Sequence, residues 1–311
     1  MSSERTTKLV DDMLGGSRVA LSRLLSAVEN HRGDAGEILR HLSARQGHAI
    51  RIGVTGPPGA GKSSLVTAYV KLLRSQEKKV AVLAVDPTSP FSGGALLGDR
   101  IRMNSISMDP GVFVRSLAAR GDLGGLSEAA GDMADVMDAA GFDVILFETV
   151  GVGQSELEIA EYADSTVVVL VPESGDSIQG MKAGLMEIAD LFAVNKCDRE
   201  GADRFAADLS AALHLRAASD WTPPVVQTIA VKDQGLDTFH EKLTDHFEFL
   251  KSSGQLMQRR EKRVRSRIHR LVEQRLTAEF WTAERVQKME TAIRSNRSPY
   301  EISIELLRDS H

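Results

Sequence analysis

Short runs of apolar, often β-branched residues alternate with stretches of helical spacing through the middle of this 311-residue chain. The runs lie at 50–55, 80–85, 112–114, 144–147, 166–171, 191–194 and 225–229. Several are apolar at successive rather than alternate positions, the pattern of parallel strands covered by helices on both faces. The alternation predicts an α/β fold built on a doubly wound, mostly parallel sheet. Its ligand loops belong at the carboxyl ends of the strands. Before the first run, residues 7–29 read as one amphipathic helix, with Leu14, Leu21, Leu24, Leu25 and Val28 on one side. A second short helix is predicted near 35–44.

Past Gly254 the pattern changes again. Arg259, Arg260, Lys262, Arg263, Arg265, Arg267 and Arg270 crowd a helical stretch whose apolar positions are Val264, Ile268, Leu271 and Leu276. This reads as a solvated basic face on a packing helix, with an acidic or nucleic-acid partner as the other reading. Ser298-Pro299-Tyr300-Glu301 starts a last helix, with a Ser cap, Pro in the first turn and Glu three residues on. The expected organisation is a helical extension at 1–48, a central α/β domain at 49–252 and a helical arm at 253–311.

Composition narrows the picture modestly. At 42% hydrophobic and 26% charged, with a formal net charge of −5, the chain has no global attraction for nucleic acid or an anionic membrane. One cysteine, Cys197, excludes an internal disulfide and a multi-cysteine metal site. The eight histidines form no metal-ligand spacing. Met1 to Thr7 has no apolar signal core, so a soluble, cytoplasmic protein without a membrane partner is expected.

The chemistry gathers at strand ends. Gly56-Pro57-Pro58-Gly59-Ala60-Gly61-Lys62-Ser63 matches G-x-x-x-x-G-K-[ST], between an apolar run and the helical stretch that starts at Ser64. In such a loop backbone N–H groups wrap phosphates, aided by the helix dipole. Lys62 is expected at the β- and γ-phosphates and Ser63 on Mg²⁺. Asn195-Lys196-Cys197-Asp198 stands where a base-reading loop belongs. The Asp198 carboxylate can accept from guanine N1–H and its 2-amino group together, whereas adenine offers no such donors. Asn195 can brace the loop or meet the base, and the Lys196 stem can cover the ring. Thr228-Ile229-Ala230, at the next strand end, can offer an amide to the guanine carbonyl. GTP rather than ATP is therefore expected.

Glu148-Thr149-Val150-Gly151 closes the run at 144–147; its carboxylate can bind Mg²⁺ and the Gly151 amide can sense a γ-phosphate. Val152 occupies the place where Ras-like proteins carry a water-orienting glutamine, which predicts slow hydrolysis by the isolated protein. Asp86 and Asp99 are two further carboxylates on a Gly/Ser/Pro-rich segment near the phosphates, readable as turn aspartates or as metal and water ligands. Glu173 to Lys182 reads equally as a plain loop or a mobile contact surface.

These motifs together, with Glu148 to Glu156 and Gly93 to Met103, resemble the MeaB/ArgK family of SIMIBI-class P-loop GTPases, related to the human MMAA protein. The resemblance spans nearly the whole chain. It implies a GTP- and Mg²⁺-dependent chaperone that gates cofactor loading and protection of an adenosylcobalamin-dependent acyl-CoA mutase, typically methylmalonyl-CoA mutase. It also implies a homodimer through the C-terminal helices. By analogy Lys62 and Ser63 hold phosphate and metal, while Asp86, Asp99 and Glu148 surround the metal and attacking water. Glu173 to Lys182, with Lys182, would be a partner-sensing switch. Glu173-Ser174 and the segment from Asp86 to Gly98 depart from the commoner family versions. A P-loop kinase is the alternative, though no acceptor pocket is readable. Metal delivery would need thiol or histidine clusters that one cysteine cannot make.

Overall fold

A computed structural model describes residues 3–30, 35–86, 103–118, 128–149, 155–173, 183–215, 220–295 and 297–308. The expected single helix over 7–29 is two: α1 (Ser3–Leu14) and α2 (Arg18–Glu29). Gly16 at φ 92° turns the chain, and the Ser17 hydroxyl then accepts from the Ala20 amide to cap α2. Helical periodicity survives the break, which is why spacing alone reads through it. After α3 (Ala35–Leu42) come β1 (Ile50–Thr55), α4 (Lys62–Ser75), β2 (Val80–Asp86), α5 (Asn104–Ser107) and β3 (Val112–Ala118). The chain continues as α6 (Glu128–Ala139), β4 (Val144–Glu148), α7 (Ser155–Tyr162), β5 (Ser165–Leu170), α8 (Ala183–Ile188) and β6 (Leu191–Asn195). Then follow α9 (Ala202–His214), β7 (Val225–Thr228) and α10 (Leu236–Ser252).

The seven strands form one sheet in the order β3-β2-β4-β1-β5-β6-β7, every pairing parallel. Each predicted run supplies one strand, and the fully apolar ones are buried on both faces as their composition requires. β1 sits between β4 and β5; from it the chain first builds one wing of the sheet and later returns to build the other. That reversal is the switch point at which open α/β sheets bind ligands.

Helices α1, α2, α3 and α6 cover one face. Leu24, Leu25, Val28, Ile38 and Leu42 are wholly buried in the same core as Leu83, Ile145 and Phe147. The N-terminal extension is thus part of the main core. α4 and α10 cover the other face through Leu65, Tyr69, Leu73, Phe239 and Leu243.

At the amino ends of the strands Arg51 is buried. Its guanidinium donates to Asp135 at 2.6 Å. Burial opposes its charge, but Asp135, Asp164 and Asp138 outweigh that and raise its pKa. There, too, the buried His246 ring lies 2.8 Å from the Ser165 hydroxyl and 3.2 Å from an Asp190 oxygen, tying α10 to β5 and β6.

The chain divides into two compact units, Met1–Leu256 and Met257–His311. The second is helical: most of α11 (Gln255–Phe280), then α12 (Ala283–Arg294) and α13 (Pro299–Arg308). Within it, Lys288 and Arg297 both pair with Glu305, joining α12 to α13. No helix among the described residues is long and apolar enough to cross a membrane.

Candidate nucleotide-binding site

The loop from Gly56 to Gly61 leaves the carboxyl end of β1 and runs into α4, whose first turn holds Lys62, Ser63 and Ser64. Two glycines are required by close approach as well as by conformation. At Gly56 (φ 133°) a Cβ would stand 2.2 Å from the Val169 carbonyl oxygen of β5. At Gly61 (φ 91°) it would stand 2.3 Å from Asn195 Nδ2. As N-cap of α4, Gly61 offers no side chain to the first-turn amides. Those amides and the helix dipole make the N-terminus a natural anion cradle. The buried Lys62 ammonium curls into this loop, donating to the carbonyls of Gly56 at 2.8 Å and Pro57 at 3.0 Å. Pro58 and Gly59 are exposed at the loop's tip, and Ala60 is buried beneath it.

Beside the loop, the Ser63 hydroxyl donates to Glu148 Oε1 at 2.5 Å. Glu148 ends β4 and is only 2% exposed. The next residue anchors it: the Thr149 amide donates to the Val54 carbonyl at 3.1 Å, and its hydroxyl to that of Thr55 at 3.0 Å. A hydroxyl and a carboxylate converging at a phosphate cradle are the hard oxygen donors that Mg²⁺ prefers, so this pair fits that ion. The brace from Thr149 and Thr55 carries no motif of its own and was not legible in sequence.

The loop from Asn195 to Asp198 is laced to the glycine loop. Asn195 Nδ2 donates to the Ala60 carbonyl at 2.9 Å. Its Oδ1 accepts from the Ala230 amide at 3.1 Å and the Thr228 hydroxyl at 3.3 Å. Of the two roles open to Asn195, the structure shows the brace. Lys196, at φ 60°, donates to the Gly59 carbonyl at 2.7 Å. The Ile229 amide donates to Gln234, so the amides of Ile229 and Ala230 are both engaged within the protein. Asp198 is exposed at the rim, 3.1 Å from the Lys232 ammonium. That hydrogen bond holds its carboxyl below the usual range. Cys197 is half-buried, and burial raises its thiol pKa.

Lys62, Ser63, Glu148, Asn195, Lys196 and Asp198 therefore stand at or just beyond the carboxyl ends of β1, β4 and β6. Asp99, Gly151 and Lys182 lie outside the described residues, and of Asp86 the description covers the backbone alone, at the end of β2.

The sequence pattern of the methylmalonyl-CoA mutase-associated GTPase MeaB matches residues 21–285. The chain belongs to this GTPase family. One relative of this MeaB-family protein, the GTPase ArgK of Escherichia coli, is 38% identical over 255 residues, 79% of this chain and 77% of its own. The mouse "Methylmalonic aciduria type A homolog, mitochondrial" is 33% identical over 294 residues, 88% of this chain and 71% of its own. Among solved structures, one titled as an LAO/AO transport system kinase superposes with a TM-score of 0.76 at 28% identity, covering 99% of this chain and 98% of that one. Membership in a GTPase family implies guanine-nucleotide binding, in agreement with the polarity argument at Asp198.

Proposed function

We propose that this MeaB-family protein binds GTP with Mg²⁺, hydrolyses it slowly alone, and uses the cycle to gate an adenosylcobalamin-dependent acyl-CoA mutase. Methylmalonyl-CoA mutase is the first candidate. The observation that carries the GTPase part is the contact of Ser63 with Glu148 at the mouth of an uncapped glycine loop. In this reading Ser63 and Glu148, with Asp86 and Asp99, would hold Mg²⁺, which would supply positive charge to neutralise the β- and γ-phosphates. Lys62 turns its ammonium from the Gly56 and Pro57 carbonyls to the phosphate oxygens. Asp198 accepts from the guanine edge, with Thr228 to Ala230 behind it and the Gly151 amide toward the γ-phosphate. Lys182 and the 173–182 segment answer to the partner.

The mutase assignment is supported by the family's description and by the mouse relative. A homodimer through the C-terminal helices is supported by their surface: Val264, Ile268 and Leu276 are each more than half exposed on α11. A cytoplasmic setting suits a chain with one cysteine.

Single-turnover GTP hydrolysis, measured with and without each co-purified candidate mutase, tests the reading. Slow release of phosphate alone and faster release with one mutase are expected. Fast hydrolysis by the protein alone, or indifference to every mutase, would overturn it. Label appearing on an acceptor instead of free phosphate would favour a kinase.

A further inference from the structure

Three cations surround Asp198 in sequence or space, and two are committed elsewhere. Lys196 donates to the Gly59 carbonyl, and Arg199 pairs with Glu173. Lys232, 34 positions downstream, is the one that donates to Asp198, to its Oδ2 at 3.1 Å. The loop carrying Lys232 is held by its own backbone. Ile229 and Gln234 exchange backbone hydrogen bonds of 3.0 and 3.3 Å across it. Asp233 takes the left-handed conformation at φ 55°, and at Gly235 a Cβ would stand 2.2 Å from the Gln227 carbonyl oxygen. This loop is also stitched to the one carrying Asp198. The Cys197 amide donates to the Thr228 carbonyl at 3.1 Å, and the Ala230 amide to Asn195 Oδ1.

We propose that Lys232 is a positioning residue for guanine recognition, holding the Asp198 carboxylate in the orientation that accepts both donors of the base edge. This rests on the reading of Asp198 as the base-reading group. Both partners are substantially exposed, at 53% and 39%, so their pairing contributes little to stability. Its effect is on geometry. A carboxylate offers about four lone-pair directions, and Lys232 occupies one on Oδ2. About three remain, enough for the N1–H and 2-amino donors of guanine to take one on each oxygen. Those two bonds must lie in one plane, so a carboxylate free to rotate loses more of this paired contact than of a single bond.

The test compares GDP with inosine diphosphate, which keeps N1–H but lacks the 2-amino group, by equilibrium binding to the full-length protein. Lys232→Met keeps the apolar stem and removes the donor; it should lower the preference for GDP by about two- to fivefold, the range of an exposed ion pair. Lys232→Arg should restore the preference. An unchanged ratio in Lys232→Met, or equal weakening of both ligands, would overturn the positioning role. If the unaltered protein shows no preference for GDP over inosine diphosphate, the assignment of Asp198 fails first and takes the inference with it.

Discussion

Asn195 and Asp198 divide the labour of one loop. Asn195 is buried with both ends of its amide engaged, so it holds the phosphate and base loops in register. Asp198 stands exposed at the rim as an acceptor, which in the proposed reading discriminates among bases. Asp198→Asn should therefore shift preference from GTP to xanthosine triphosphate, whose ring accepts where guanine donates. Competition binding with the two triphosphates checks this, and unchanged preference would show the loop to be misassigned. The same division explains what could be read from residues alone. Asp198, Lys62 and Ser63 announce themselves through local spacing. Lys232 belongs to no motif, and only the packing of β7 beside β6 brings it to Asp198. The pairing of Ser63 with Glu148 likewise spans 85 positions and depends on β4 lying beside β1.

Among the elements, strands were the most legible. Apolar runs of the right length can hardly be anything else between helical stretches; six of the seven strands match expectation within a residue, and β3 runs four residues past its predicted end. Strand order was not legible, because every run is similarly apolar and no local signal says which neighbour it meets. The break between α1 and α2 was present in Gly15-Gly16-Ser17, but the continuing periodicity concealed it. These helices also test how far the GTPase core extends. Leu24 is fully buried in the cluster that includes Phe147, one residue before Glu148. Leu24→Ala should cost about 2–5 kcal/mol of stability, as core truncations do, in urea unfolding followed by circular dichroism. A loss below about 0.5 kcal/mol, the usual range at surface sites, would show the extension to be an appendage.

For the whole molecule, the contrast is between a main unit whose sheet is packed on both faces and a C-terminal unit that buries Ile302 and Leu306 but leaves many of its large apolar side chains outside. α11 has no buried residue, and Ile268, Leu271, Val272 and Leu276 are each about half exposed. A contiguous surface of this kind is characteristic of an interface. The basic face read from sequence lies on this same helix, so the helix offers both an apolar stripe and charge. If the stripe joins two copies, Ile268→Glu should convert a dimer into a monomer in light scattering after size exclusion, while GDP binding by the main unit persists. A parent protein that is already monomeric at micromolar concentration would remove the dimer proposal.

The placement of β1 has a consequence for how the protein is made. The strand feeding the phosphate loop is made well before the strands that flank it. Its two neighbours in the sheet are β4 and β5, and β5 ends only at Leu170. At synthesis rates of about 5–20 residues per second, on the order of ten seconds pass before β1 can be flanked on both sides. Gly56 rests against Val169, so the loop's own backing belongs to that late strand. Until then the glycine loop lacks the backbone it rests against. A loop that needs this backing to keep its shape can capture nucleotide only after Leu170 has been made.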